Sequence, residues 1–352
     1  MSGSRYTPIP NAEIEALLDR TKKELSAEVE SLHLPHLSAV VLGGGYGRGE
    51  GGILHTPSGP RLYNDLDLFV FSEGADFRAA AEIDRKLREL SLRREKELGI
   101  AVDFGPAKNL SDIRKVGHTL MFQELLRGWQ PVWGRVDLAQ WIPQLDAKEL
   151  PYSEAVRLLL NRGMGLVLAA DRLRTGQNDP DFIVRNMNKA VLGGGDAVLI
   201  AAGEYRWQGA DRVNAYADHV RREKLPEEYA AIYEKAFRWK LEPEPVLPSD
   251  PAAEWRKCRD FYLHSVRLCA GAPDGSPVWE TTAGLRRKAA KERTLKNALR
   301  WLARTKSLRS PVSFFDPPVV SVLGMLYSEL AAAGEDYPEM PQKLYDRWKF
   351  FN

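Results

Sequence analysis

VVLGGGYGRGE, Val40 to Glu50, followed by NDLDLFVF, Asn64 to Phe71, decides how this chain is read. LSAVVL, Leu37 to Leu42, is a short apolar run that stops at glycines, the pattern of a buried strand feeding a tight turn. Gly43, Gly44, Gly45, Gly47 and Gly49 carry no Cβ and accept positive φ, so several N–H groups can converge on an anion, with Arg48 adding charge. A phosphate is the expected guest. Further on, strand alternation sends Asp65 and Asp67 to one face and Leu66, Leu68 and Val70 to the other. Two carboxylates aimed the same way repel unless a cation lies between them. Magnesium suits that place, because it takes oxygen ligands from one or two carboxylates and from substrate phosphates. Two such ions can clamp a displacement at phosphorus.

ELGIAVDFGPA, Glu97 to Ala107, supplies a third acid. Ile100, Val102 and Phe104 alternate with Ala101 and Asp103, which places Asp103 on a neighbouring strand as a candidate metal ligand and general base. Other glycine-loop chemistries fit less well. Gly47 to Gly52 matches G-x-G-x-x-G but no helical pattern follows it, no G-x-x-x-x-G-K-[ST] string occurs, and the V-A-I-K and H-R-D elements of a kinase are missing.

The series Gly44-Gly45-Tyr46-Gly47-Arg48-Gly49-Glu50, Asp65-Leu66-Asp67-Leu68 and Val102-Asp103-Phe104 resembles the DNA polymerase β-like nucleotidyltransferase superfamily, in particular small bacterial members of the kanamycin nucleotidyltransferase build. The resemblance implies an α+β chain: a nucleotidyltransferase fold with a small mixed sheet, then an all-helical domain. It implies that Gly44 and Gly45 hold a triphosphate, that Asp65 and Asp67 bind two Mg2+ ions (or Mn2+), and that Asp103 completes the metal site and helps deprotonate an acceptor hydroxyl. GGILHTPSGPRLY, Gly51 to Tyr63, lengthens the usual interval between glycines and acids and looks like a polar hairpin at the rim.

The 352 residues suffice for two domains, expected at 1–148 (catalytic) and 149–352 (helical, for acceptor and nucleotide). A net charge of +2 lacks the basic excess of a dedicated nucleic-acid binder. Cys258 and Cys269, without a C-x-x-C motif, read as buried free thiols of a cytoplasmic protein, and no apolar run is long enough to span a membrane. His33 and His36 have H-x-x-H spacing, but Pro35 breaks the helix that would align them.

Periodicity predicts helices over Asn11–Ser31 and Asp76–Glu97, a helix-like stretch over Ser111–Arg127, and a helix over Tyr152–Leu173 with Ser153 as N-cap. Phe182 to Tyr205 resembles the helix after the catalytic domain in bacterial members of the superfamily, which implies that Lys189 reaches the triphosphate, assisted by Arg185 or Asn186. Gly193 to Gly195 are expected to interrupt that helix, since each glycine costs about 1 kcal/mol against alanine. Arg286 to Arg309 carries ten basic residues and one acid and reads as a basic amphipathic helix with a Leu295, Leu299, Leu302 stripe beside Trp301. Such a face suits RNA, pyrophosphate or an acidic acceptor, or is balanced by acids elsewhere. Trp207, Trp239, Trp255 and Trp279 are expected mainly in packing, with one available to wall an acceptor pocket.

The expected activity is metal-dependent transfer of a nucleotide from ATP or another nucleoside triphosphate to an acceptor hydroxyl, most simply of a small molecule. Transfer to RNA or to a protein side chain, and a non-catalytic nucleotide-binding regulator, are the competing readings.

Overall fold

The computed structural model describes residues 5–177, 179–305, 315–334, 336–339 and 341–351. The chain is α+β and divides into two compact units: Met1–Leu145 with Arg238–Glu244, and Asp146–Phe237 with Pro245–Asn352.

The first unit opens with helix α1 (Ala12–Ser31), started by Asn11, whose side chain accepts from the Ile14 N–H at 3.1 Å. Strand β1 (Leu37–Leu42) runs into a single helical turn, α2 (Gly44–Gly47). Strands β2 (Ile53–Thr56) and β3 (Gly59–Leu62) form a separate two-stranded hairpin, as the polar insertion predicts. Strand β4 (Leu66–Ser72) follows, then helix α3 (Phe77–Leu98). Asp76 caps α3 by accepting from Arg78 and Ala79, and Gly99 ends it at φ 69°. Strands β5 (Val102–Phe104) and β6 (Lys108–Asn109) come next. The helix-like stretch beyond them is two helices, α4 (Leu110–Val116) and α5 (Leu120–Arg127), before strand β7 (Gln130–Gly134).

The main sheet has the order β5-β4-β1-β7, with β6 also pairing to β4. It is mixed: β1 is antiparallel to β4 and β7, whereas β5 and β6 run parallel to β4. Alternation along the strands gives it two apolar faces. Val40, Leu42, Leu66, Leu68 and Val70 pack with residues of α1 and α3 such as Leu18, Leu25, Ile83 and Leu87. Ala39, Val41 and Phe71 pack with Leu110, Ile113, Phe122 and Leu125 of α4 and α5.

The second unit begins with the long helices α6 (Tyr152–Arg174) and α7 (Pro180–Ala202). Helices α8 (Gly209–Arg222), α9 (Glu228–Leu241), α10 (Pro251–Ala270), α11 (Val278–Lys288), α12 (Leu295–Thr305), α13 (Pro318–Ala332) and α14 (Gln342–Phe351) follow, the end of α9 belonging to the first unit. Among the described residues no strand lies beyond Gly134.

Ser153 lies inside α6 and is not its cap; its N–H donates to the Glu292 carboxylate at 3.1 Å, so an acid distant in sequence satisfies the helix start. Gly193, Gly194 and Gly195 do not interrupt α7. They sit within an unbroken helix because neighbours press on its backbone: a Cβ at Gly195 would stand 2.4 Å from the Tyr233 ring, and one at Gly193 would stand 2.3 Å from Arg162. Gly195→Ala is therefore expected to destabilise by about 1–3 kcal/mol through overpacking, exceeding the gain of about 1 kcal/mol in helix propensity, as measured by urea denaturation.

The basic segment is likewise not one helix. α11 ends at Lys288, a 3-10 turn covers Ala289–Glu292, and α12 starts anew at Leu295. Leu295 and Leu299 are exposed, while Asn297, Ala298 and Trp301 are buried, Trp301 stacking on Phe351 at 5.6 Å. The fully buried Asp316 carboxylate binds Arg286 at 3.1 Å and Arg293 at 2.5 Å, so part of the positive charge is matched internally. Lys306 and Arg309 lie outside the described residues.

Cys258 and Cys269 are free and buried, and burial pushes both thiols up to about 12. Trp255 is fully buried with its indole N–H donating to the Leu166 carbonyl, Trp239 meets Tyr63 edge-on, Trp207 meets Tyr205, and Trp279 is exposed. Among the described residues no helix is long and apolar enough to cross a membrane.

Candidate functional site

The glycine turn is pressed onto the strand that carries the acids. Where β1 ends, the Gly43 N–H donates to the Asp67 carbonyl at 2.8 Å. The next residue, Gly44, has φ +60°, and a Cβ there would stand 1.8 Å from Asp67 Oδ2. The Asp67 carboxylate thus occupies the space that any other residue at 44 would fill. The turn closes through Gly47 N–H to the Gly43 carbonyl at 2.8 Å and Glu50 N–H to the Gly45 carbonyl at 2.8 Å. The N–H groups that open such a turn have no partners within it.

Tyr46 fastens this turn to the approach of β4. Its buried hydroxyl donates to the Gly52 carbonyl at 2.8 Å and accepts from the Tyr63 N–H at 2.9 Å. Burial raises the phenol to about 12, with the nearby Asp65 charge adding to the effect. Beside it, Asn64 Oδ1 accepts from the Gly52 N–H at 2.6 Å. These bonds join both ends of the β2–β3 hairpin, so the inserted residues leave the chain where they took it up and the acids keep their place beside the glycines.

Asp65 immediately precedes β4 and Asp67 lies within it, both partly buried, while Leu66, Leu68 and Val70 are buried on the opposite face. Asp103 on β5 is the register partner of Asp67 in a parallel pair. In-register residues of neighbouring strands share a face about 4.8 Å apart. Leu66 N–H to the Ala101 carbonyl at 2.9 Å and Gly105 N–H to the Leu68 carbonyl at 2.8 Å hold that register on both sides. Two carboxylates at about 5 Å repel by roughly 1–3 kcal/mol at effective dielectrics between those of water and a protein surface, and a cation between them reverses the sign.

The donor set fits magnesium in kind: hard oxygens, two in register and a third two residues upstream, with the Gly44 backbone leaving room for the Asp67 carboxylate. Among the described residues no three His, Cys, Asp or Glu side chains are already gathered into a metal cage, His33 and His36 included. Magnesium sites commonly draw their remaining ligands from water and substrate phosphates.

Arg48 is paired with Glu124 at 3.1 Å and Glu50 at 3.6 Å, and Lys240 reaches Glu50 at 3.1 Å. Its charge therefore enters the site within a cluster of two acids and two cations. Lys189 belongs to the second unit, partly buried on α7. Its neighbours are engaged locally, Arg185 with Asp181 and Asn186 with the Phe182 carbonyl at 2.8 Å.

Sequence reasoning missed four contributors. Tyr46 and Asn64 were legible only as members of the motif, and their bonds to Gly52 and Tyr63 depend on hairpin closure. Lys240 lies far along the chain, with no motif to flag it. Lys108 shares a cavity with Asp67 and Asp103, and its only sequence signal is its place just beyond the Gly105-Pro106 turn. Compared with family models, with curated proteins and with solved structures, the chain matches none.

Proposed function

We propose that this protein is a cytoplasmic, divalent-metal-dependent nucleotidyltransferase on a nucleotidyltransferase fold. The observation that carries the reading is the parallel register of Asp67 with Asp103, set against a glycine turn whose Gly44 makes room for the Asp67 carboxylate. Order along the chain adds to it: glycines, D-x-D and strand acid follow one another and meet at one end of β4.

In the proposed reaction an acceptor hydroxyl attacks the α-phosphorus of a nucleoside triphosphate. The new O–P bond forms, the bond from the α-phosphorus to the bridging oxygen breaks, and pyrophosphate leaves. Asp103, the most exposed of the three acids, takes the hydroxyl proton. Asp65, Asp67 and Asp103 would hold Mg2+, which when bound neutralises charge on the attacking and leaving oxygens. The N–H groups opening the Gly44–Gly45 turn orient the phosphates, and Arg48 contributes what charge Glu50 and Glu124 leave uncompensated.

The test is pyrophosphate release from each ribonucleoside triphosphate with Mg2+ or Mn2+, with and without cell extract as the source of acceptor. The expected result is extract-dependent release with at least one nucleotide. Nucleotide binding without release under every condition would replace the reading with that of a non-catalytic nucleotide-binding regulator. Appearance of the label on RNA or on a protein would keep the chemistry and change the acceptor.

A further inference from the structure

A cavity of about 230 Å3 lies along β4 in the first unit and includes both Asp67 and Asp103 in its lining. At about 30 Å3 per water in the liquid it has room for about eight waters, the size of a substituted aromatic ring. Its walls are apolar: Phe69 and Phe71 from β4, Met121 and Phe122 from α5, with the Phe69 and Phe122 rings edge to face at 6.2 Å.

The polar groups are arranged along the strand. Asp67 pairs in register with Asp103 at one level, and Phe71 pairs with Lys108 at another, four residues on. At about 3.3 Å per residue these levels are about 13 Å apart along the backbone. Lys108 is partly buried, lines the same cavity, and among the described residues pairs with no carboxylate. The cavity therefore offers, in sequence, a pair of acids, an aromatic wall and a cation.

We propose that this cavity is the acceptor subsite and that the acceptor is a small aromatic acid bearing a hydroxyl. The inference rests on the transferase reading, in which Asp67 and Asp103 are engaged by metal and Lys108 is the charge left to recognise substrate. The hydroxyl lies by Asp103, the ring against Phe69 and Phe122, and the anionic group on Lys108. A polyhydroxylated amino sugar is disfavoured. Its hydroxyls would lose water against apolar walls at about 1–3 kcal/mol for each left unpaired, and its ammonium groups would meet Lys108.

The test is calorimetric or ligand-observed NMR binding to the full chain, with saturating Mg2+ and without nucleotide, of para-hydroxyphenylacetate, its uncharged methyl ester and an amino sugar. The acid is expected to bind about tenfold more tightly than the ester, the size of one charge-assisted hydrogen bond. Lys108→Ala should bring the acid to the level of the ester. Met121→Trp, which adds bulk at the half-exposed rim, should weaken both while ATP binding persists. Equal binding of acid and ester, no binding of either, preference for the amino sugar, or competition by ATP for the cavity would each overturn the proposal. In the extract assay Lys108→Ala should lower release without changing nucleotide affinity. Full release in Lys108→Ala rejects the subsite alone, whereas full release in Asp67→Asn rejects the transferase reading.

Discussion

Asp67→Asn is expected to lower pyrophosphate release by about 10³-fold or more while leaving the unfolding midpoint unchanged or slightly raised. The side chain keeps its shape and the Asp67 carbonyl keeps its bond from Gly43, so β4 should hold its place. What is lost is the charge facing Asp103 in register and following Asp65 at two residues' distance. Charge stabilisation by a metal at a transferring phosphoryl group is worth several kcal/mol, and about 4 kcal/mol corresponds to about 10³ in rate. For stability the sign is reversed, because removing one of two neighbouring carboxylates relieves repulsion in the metal-free protein. Loss of transfer with retained folding is the signature of a ligand whose charge matters to the reaction. Unchanged turnover would remove Asp67 from the chemistry and with it the proposed mechanism. Asp103→Asn, measured in parallel, separates the roles: a general base contributes about 10²–10⁴-fold and its loss should change the pH profile as well as the rate.

The parts of this architecture that were legible in the sequence are those set by local chemistry. Asn11 and Asp76 start α1 and α3, where the helical ranges read from the sequence begin, because capping depends on residues within one turn of the helix end. The alternation of Asp67 with Leu66, Leu68 and Val70 was legible because strand period is local too. The parallel pairing that sets Asp67 beside Asp103 was only implied, since α3 separates the two strands and register depends on tertiary fit.

Where the reading failed, a distant partner had changed the meaning of a local signal. Gly193 to Gly195 carry the usual helix penalty, yet Tyr233, Phe261 and Ser265 approach the backbone so closely that side chains there would collide. Asn297 looks like a surface residue of α12, but its amide donates to the Glu292 carbonyl at 2.9 Å and the Phe315 carbonyl at 3.0 Å, which lets it be buried while Leu295 and Leu299 face out. All three leucines lie within α12, so the restart at Leu295 leaves their spacing intact; burial of Asn297, Ala298 and Trp301 on the opposite side is what leaves Leu295 and Leu299 exposed. Lys240 joins Glu50 because Arg238–Glu244 returns to the first unit, a consequence of chain path that no spacing rule anticipates.

Gly44→Ala is expected to abolish transfer and to destabilise the first unit by about 2–5 kcal/mol. Two independent costs combine. A residue with a Cβ at φ +60° costs about 1–2 kcal/mol. Overpacking adds about 1–3 kcal/mol, because the new Cβ would stand 1.8 Å from Asp67 Oδ2 and 2.9 Å from Asp67 Cβ. The second distance decides the outcome: rotating the carboxylate away leaves the two Cβ atoms in conflict, so the backbones must separate and the Gly43 bond to the Asp67 carbonyl must stretch. Asp67 then leaves the register it shares with Asp103. Gly45→Ala is the matched comparison, since its φ is not in the left-handed region and the added Cβ would come no nearer than 3.4 Å to any neighbour, the Glu50 carbonyl, with Gly51 Cα at 3.6 Å and Asn64 Oδ1 at 3.7 Å in ordinary contact. Its stability should stay within about 1 kcal/mol of the parent, the span of glycine-to-alanine helix propensity, and any loss of function should appear in nucleotide affinity. Urea denaturation and pyrophosphate release on the two variants together separate a turn that merely must fold from one that holds Asp67 in place. If Gly44→Ala kept both stability and transfer, the close approach of turn and carboxylate would have no part in the function.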